Sequence, residues 1–187
     1  MKKTSKKEDI FNVPNALTLS RIFITFFVIY TILAKWNVII TASAFVIGML
    51  TDFFDGYIAR KYKKVTELGR KFDMTADRFL MIGTAIAFLV SYNGIMNLNH
   101  WVQVGLIMSR EILTLPFVLY TNIKKGLNTE IPHAKFIGKL TTFMQGVAFP
   151  LVIFGIFYQQ FRFSVYFAAA TGIIGILSGI QHIKTSE

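Results

Sequence analysis

Long apolar runs separated by short polar ones set the pattern of this chain. Six stretches, at about 16–34, 38–60, 73–92, 99–121, 136–157 and 163–183, come close to the ~20 helical residues that cross a hydrocarbon core about 30 Å thick. Inside a bilayer a segment must satisfy its own backbone hydrogen bonds, so runs of this length predict helices. The expected fold is all-α: a polytopic membrane protein with six transmembrane helices. Residues 1–12 read as a cytoplasmic or interfacial N-terminal segment, weakly amphipathic and too short to fold alone, and 13–187 as one transmembrane domain.

The charges between the runs orient them. Lys61, Lys63, Lys64, Arg70 and Lys71 separate the second and third runs, and Lys124, Lys125 and Lys135 separate the fourth and fifth. The opposite loops offer Lys35 and Arg162, so the positive-inside rule predicts both termini in the cytoplasm. The basic leader "MKKTSKK" resembles the start of a secretory signal. The apolar run after it is long, however, and no small-residue cleavage site precedes "AKWN", so a retained first helix is expected.

Composition agrees with a membrane location. With 53% hydrophobic residues, 16% charged and a positive mean hydropathy, the chain is too apolar for an ordinary soluble domain of 187 residues. A net charge of +10 in a soluble protein would point to nucleic acid. Here the basic residues flank apolar spans, where they set topology and meet anionic membrane lipids, and no nucleic-acid partner is expected. The chain has no cysteine, and His100, His133 and His182 lack metal-ligand spacing, so the histidines read as isolated.

One interval breaks the apolar pattern: "TDFFDGYIARKYKKVTELGRKFDMTADRF", residues 51–79. Asp52, Asp55, Gly56 and Ala59 fall at helical offsets near the end of the second helix, while Asp73 and Asp77, four apart, share a face at the start of the third. Antiparallel neighbours joined by a short loop would bring both aspartate pairs to one depth, just inside the cytoplasmic boundary. Ionised carboxylates gathered there repel one another and need positive charge to hold them. Two divalent cations would balance four such groups, and an all-oxygen donor set suits Mg²⁺ or Mn²⁺. A pair of metal ions is suited to phosphoryl transfer, because it stabilises the attacking and leaving oxygens together.

A salt-bridge network with Arg60, Arg70 and Arg78 is the competing account of the acids, but ionisable groups inside spans mark functional sites. Gly56 and Ala59 would let a diphosphate approach the helix backbone, with Arg60 in reach of a phosphate. Taken alone, tight helix packing accounts for those two small residues more readily.

Written as a pattern, the interval is Asp52-x-x-Asp55-Gly56-x-x-Ala59-Arg60, then eight residues, then Gly69-x-x-x-Asp73-x-x-x-Asp77. It resembles the signature of the CDP-alcohol phosphatidyltransferases at every fixed position and in its spacing. The resemblance implies a six-helix integral membrane enzyme, usually a homodimer, that displaces CMP from a CDP-linked lipid with an alcohol, using divalent metal at a site facing the cytoplasm of a bacterial inner or plasma membrane. By that similarity Asp52, Asp55 and Asp73 are metal ligands, and Asp77 is the base that deprotonates the acceptor hydroxyl and also touches a metal. Gly56, Ala59, Arg60 and Gly69 then line the CDP-lipid site. The chemistry agrees, since an attacking hydroxyl must lose its proton and the departing CMP needs its charge neutralised.

Outside the signature, "NVPNALTLSR" at 12–21, "SREI" at 109–112 and "GKLTTFMQ" at 138–145 resemble the branch of the family that makes phosphatidylglycerophosphate. That branch takes CDP-diacylglycerol as donor and glycerol-3-phosphate as acceptor, and Arg110, Lys135 and Lys139 would offer the acceptor's phosphate a cationic pocket. Arg21 would either approach the diphosphate or snorkel to the interface. "DMTADR" departs from the family's usual Asp-Pro-x-Ala-Asp-Lys by Met74 and Arg78, with no carboxylate lost.

Cardiolipin synthases, with phosphatidylglycerol as acceptor, share the opening motif, and serine or inositol phosphate are further acceptors within the family. A divalent-cation channel or transporter would instead need acidic or polar residues at several depths. Pro116 and Pro150 are expected to kink their helices, and Gly175 and Gly179 to mark packing or dimerisation.

Overall fold

The computed structural model describes residues 13–61, 67–125 and 136–186, with side chains except at 13–19, 52–74, 121–125, 159 and 185–186. Within these limits the chain is helical. Its helices are α1 (Val13–Leu33), α2 (Val38–Lys61), α3 (Glu67–Tyr92), α4 (Leu98–Ile107), α5 (Ser109–Lys125), α6 (Phe136–Phe157) and α7 (Ser164–Ser186), with a single 3₁₀ turn at Gln159–Phe161 before α7. The N-terminal segment 1–12 lies outside the described residues.

Short caps turn the chain back at one end. Lys35 adopts φ 52, its N–H donates to the Ile32 carbonyl, and the Trp36 N–H donates to Thr31 at 2.9 Å. This is a Schellman closure with lysine where glycine is usual. Asn37 then caps α2, its Oδ1 accepting from the Ile39 N–H at 2.8 Å. Asn97 caps α4 by accepting from the His100 N–H, and His100 Nδ1 accepts from the Asn97 N–H, which completes a capping box with histidine in the usual Glu/Gln position. His100 is therefore a structural residue.

Among the described residues, three stretches are long and apolar enough to cross a membrane: Thr75–Tyr92, Phe136–Phe157 and Ser164–Lys184. α4 and α5 together make a fourth, bent by 51°. The described parts of α1 and α2, Ser20–Leu33 and Val38–Thr51, are apolar but shorter. The chain is thus a helical integral membrane protein.

α1 packs against both α2 and α3, α2 against α6, and α7 against α4, α5 and α6. The core is aromatic at its centre: Phe149 stacks on Phe45 with centroids 5.1 Å apart and meets Phe88 edge-on at 5.7 Å. Glycines set the closest helix approaches. A Cβ at Gly83 would stand 3.0 Å from Ile29, and one at Gly146 would stand 3.0 Å from Met49.

The fourth segment is not one straight span. The fold interrupts it at Met108, whose φ −83 and ψ 3 lie in the bridge region. A side chain from another helix accounts for the break. Gln145 of α6 donates to the Ile107 carbonyl at 2.8 Å, the acceptor that a continuous helix would offer the Glu111 N–H. Pro116 lies further along α5, which continues as helix through it.

Candidate active site at one end of the bundle

Three helices meet at Ile24, Gly48 and Leu80. A Cβ at Gly48 would stand 3.2 Å from Ile24 Cγ2 and 3.5 Å from Leu80 Cδ2, so glycine lets α1, α2 and α3 close on one point. One turn from that point, towards the same end of the bundle, lie Arg21 before Ile24, position 52 after Gly48 and Asp77 before Leu80. Offsets of three or four keep each on the helix face that carries the contact. Arg21 is fully buried and does not snorkel, and Asp77 is half-buried with its Oδ1 shielded from solvent.

The remainder of the aspartate motif has helical backbone. Asp52, Asp55, Gly56, Ala59 and Arg60 lie on α2, and Gly69 and Asp73 on α3. Their side chains lie outside the described residues, as does Lys135 altogether. Among the described residues no three His, Asp or Glu side chains gather in a metal-binding group.

A second group of charges adjoins Asp77. Arg78 lies within charge–charge range of Asp77, Arg110 and Glu111, and His182 of α7 lies within range of both arginines. α3, α5 and α7 thus bring acid and base together, and α6 holds them in place. Arg110 Nη1 donates to Thr142 Oγ1 at 2.9 Å, and Gln145 Nε2 donates to Glu111 Oε2 at 2.6 Å. The motifs "SREI" and "GKLTTFMQ", far apart in the chain, are therefore two sides of one contact.

α7 closes the group from behind. Ser109 Oγ donates to the Gly172 carbonyl at 3.2 Å, and a Cβ at Gly175 would collide with that same hydroxyl. A Cβ at Gly179 would stand 3.2 Å from Leu113. These glycines pack within the chain, against the break between α4 and α5. Lys139 is exposed at the start of α6, beside Gly138, whose Cβ position lies 3.7 Å from Arg110 Nη2.

Two residues were undervalued by sequence reading. Arg78 read as a motif departure and as a salt-bridge partner of the acids, yet it connects Asp77 to Arg110 and Glu111. His182 read as isolated, yet it is half-buried beside two arginines. The signal for His182 was its spacing from Gly175, Ser178 and Gly179, which puts all four on one face of α7.

Asp77 and Glu111 thus gather with Arg78 and Arg110 within the helical membrane bundle. The sequence profile of the CDP-alcohol phosphatidyltransferases matches residues 11–178, and the chain belongs to that family. Among its relatives are enzymes named CDP-diacylglycerol–glycerol-3-phosphate 3-phosphatidyltransferase. That of Rickettsia felis is 33% identical over 150 residues, 77% of this chain and 76% of the relative. The Rickettsia typhi protein is 35% identical over 149 residues, 77% of each chain. That of Salmonella typhimurium is 28% identical over 183 residues, 95% of this chain and 96% of the relative. Family membership sets aside the channel and transporter reading.

Proposed function

We propose that this enzyme transfers a phosphatidyl group from CDP-diacylglycerol to glycerol-3-phosphate and releases CMP. The observation that carries the reading is the meeting of α1, α2 and α3 at Ile24, Gly48 and Leu80, with Arg21, position 52 and Asp77 one turn away. It supports convergence of the two acidic stripes. The names of the relatives supply the donor and acceptor.

The donor set fits hard divalent cations, because the motif acids Asp52, Asp55, Asp73 and Asp77 offer only carboxylate oxygen. Those aspartates would hold two Mg²⁺ or Mn²⁺ ions. When bound, the ions would neutralise the diphosphate and the leaving CMP. Asp77 takes the proton from the acceptor hydroxyl as the hydroxyl oxygen bonds to phosphorus. Gly56, Ala59 and Gly69 leave backbone open to the nucleotide diphosphate, and Arg60 and Arg21 meet its charge. Arg110, with Lys135 and Lys139, receives the acceptor's phosphate, and the position of Arg78 adds it to that group.

The fold fits six spans with both termini cytoplasmic. α1 and α2, at 21 and 24 residues, reach about 31 and 36 Å at the usual 1.5 Å rise. The Lys- and Arg-rich stretches between the second and third helical runs and between the fourth and fifth then face the cytoplasm of a bacterial inner or plasma membrane, with the site just inside that face. Residues 1–12 form the cytoplasmic or interfacial lead-in and 13–187 the catalytic domain, acting as a homodimer among membrane lipids.

The test is CMP release by purified protein with CDP-diacylglycerol, Mg²⁺ or Mn²⁺ and a panel of acceptors. Glycerol-3-phosphate should support turnover, and chelation of the metal should abolish it. Release with phosphatidylglycerol and none with glycerol-3-phosphate would replace this reading with the cardiolipin one, and release with serine or inositol phosphate alone would reassign the acceptor likewise.

A further inference from the structure

We infer that Gln145 is a positioning residue: its side-chain amide holds the break between α4 and α5, and through the break sets where Arg110 presents its guanidinium to the acceptor's phosphate. The inference rests on the functional reading above and concerns a residue that the aspartate signature does not contain.

A continuous helix would link the Glu111 N–H to the Ile107 carbonyl. That link is replaced here. Gln145 Nε2 donates both to the Ile107 carbonyl, at 2.8 Å, and to Glu111 Oε2, at 2.6 Å. The bonds that flank the break run from the Met108 N–H to Val104 and from the Ile112 N–H to Met108, both at 2.9 Å. The inserted side chain thus sits at the 51° bend between α4 and α5.

Both partners of Nε2 are acceptors, so the amide must present its NH₂ group there; neither a carboxylate nor an apolar side chain could substitute. Gln145 is 1% exposed, and its Oε1 is buried with no hydrogen-bond partner among the described residues. An orphaned buried acceptor costs stability that leucine, of similar size, would avoid. What the amide contributes lies in its two donated bonds.

The bend decides where the next residues face. Adjacent positions on a straight helix point about 100° apart, yet Arg110 and Glu111 both reach α6, through Thr142 and Gln145. Ser109 meanwhile reaches Gly172 on α7. If the helix straightened, Arg110 would rotate away from Thr142 and from the neighbourhood of Arg78 and Asp77.

The experiment is a double-mutant cycle between Gln145→Leu and Arg110→Ala, read in steady-state CMP release with each substrate varied. Gln145→Leu should raise the KM for glycerol-3-phosphate about tenfold and leave that for CDP-diacylglycerol within about twofold. The double variant should match Arg110→Ala alone, because the glutamine acts through the arginine. Multiplying effects, an equal rise in both KM values, or no change would overturn the inference. Should Gln145→Leu fail to fold, Gln145→Asn keeps the amide but is too short to reach both partners. It should give a smaller rise with the same non-additivity, and wild-type kinetics would overturn the proposal. A wild type inactive with glycerol-3-phosphate but active with another acceptor refutes the acceptor assignment, and the cycle is then run with that acceptor. An active wild type with independent variants refutes the positioning role alone.

Discussion

Replacing Gly175 by alanine tests the tightest contact behind the charge cluster. In most helices the exchange stabilises, by about 0.8–1.0 kcal/mol of helix propensity. Here the added methyl would collide with Ser109 Oγ and stand 3.4 Å from the Arg110 backbone nitrogen. The hydroxyl must turn away, losing its 3.2 Å bond to the Gly172 carbonyl in a buried site. A buried hydroxyl left unpaired costs about 1–3 kcal/mol. The balance is a net loss of up to about 2 kcal/mol, which for a chain of this size lowers Tm by up to about 8 °C. Thermal unfolding in detergent, followed by intrinsic fluorescence at one scan rate, measures it. Ser109→Ala in the Gly175→Ala background should recover at least half the loss, since the obstructing atom is then gone. A Tm above wild type for Gly175→Ala would show that propensity wins and that α7 does not lie against the break.

Other substitutions probe other parts of the molecule. Phe149→Ala should cost about 3–5 kcal/mol by the cavity it leaves between Phe45 and Phe88, visible as a Tm loss; an unchanged Tm would deny the aromatic centre. Lys35→Gly should raise Tm by a degree or two, because lysine at φ 52 costs about 1–2 kcal/mol that glycine partly avoids; a fall would contradict the Schellman closure. Arg110→Ala should raise the acceptor's KM well above any change in that of CDP-diacylglycerol, and equal changes would remove it from the acceptor site.

Helices were legible in the sequence wherever a long apolar run left the backbone no partner but itself, which is why segments near 73–92 and 136–157 match α3 and α6. The break at Met108 was not legible, because its cause is Gln145, a residue on another helix. Proline, the local signal for a kink, pointed instead to Pro116. The small residues Gly175 and Gly179 announced close packing, but their partner, the broken corner of α4 and α5, emerged only from tertiary structure. Arg21 illustrates the same limit: a basic residue one turn inside a span can snorkel or be enclosed, and its neighbours on α2 and α3 decide for enclosure. Asp77 is the one motif acid whose side chain is described, and it adjoins the arginine cluster that the signature alone did not reveal.

The central claim is that Asp77 deprotonates the attacking alcohol. CMP release by the Asp77→Asn variant, measured with CDP-diacylglycerol, glycerol-3-phosphate and saturating Mg²⁺ or Mn²⁺, tests it most directly. Turnover should fall by about two orders of magnitude or more with Tm near wild type. Wild-type turnover in that variant would contradict the account.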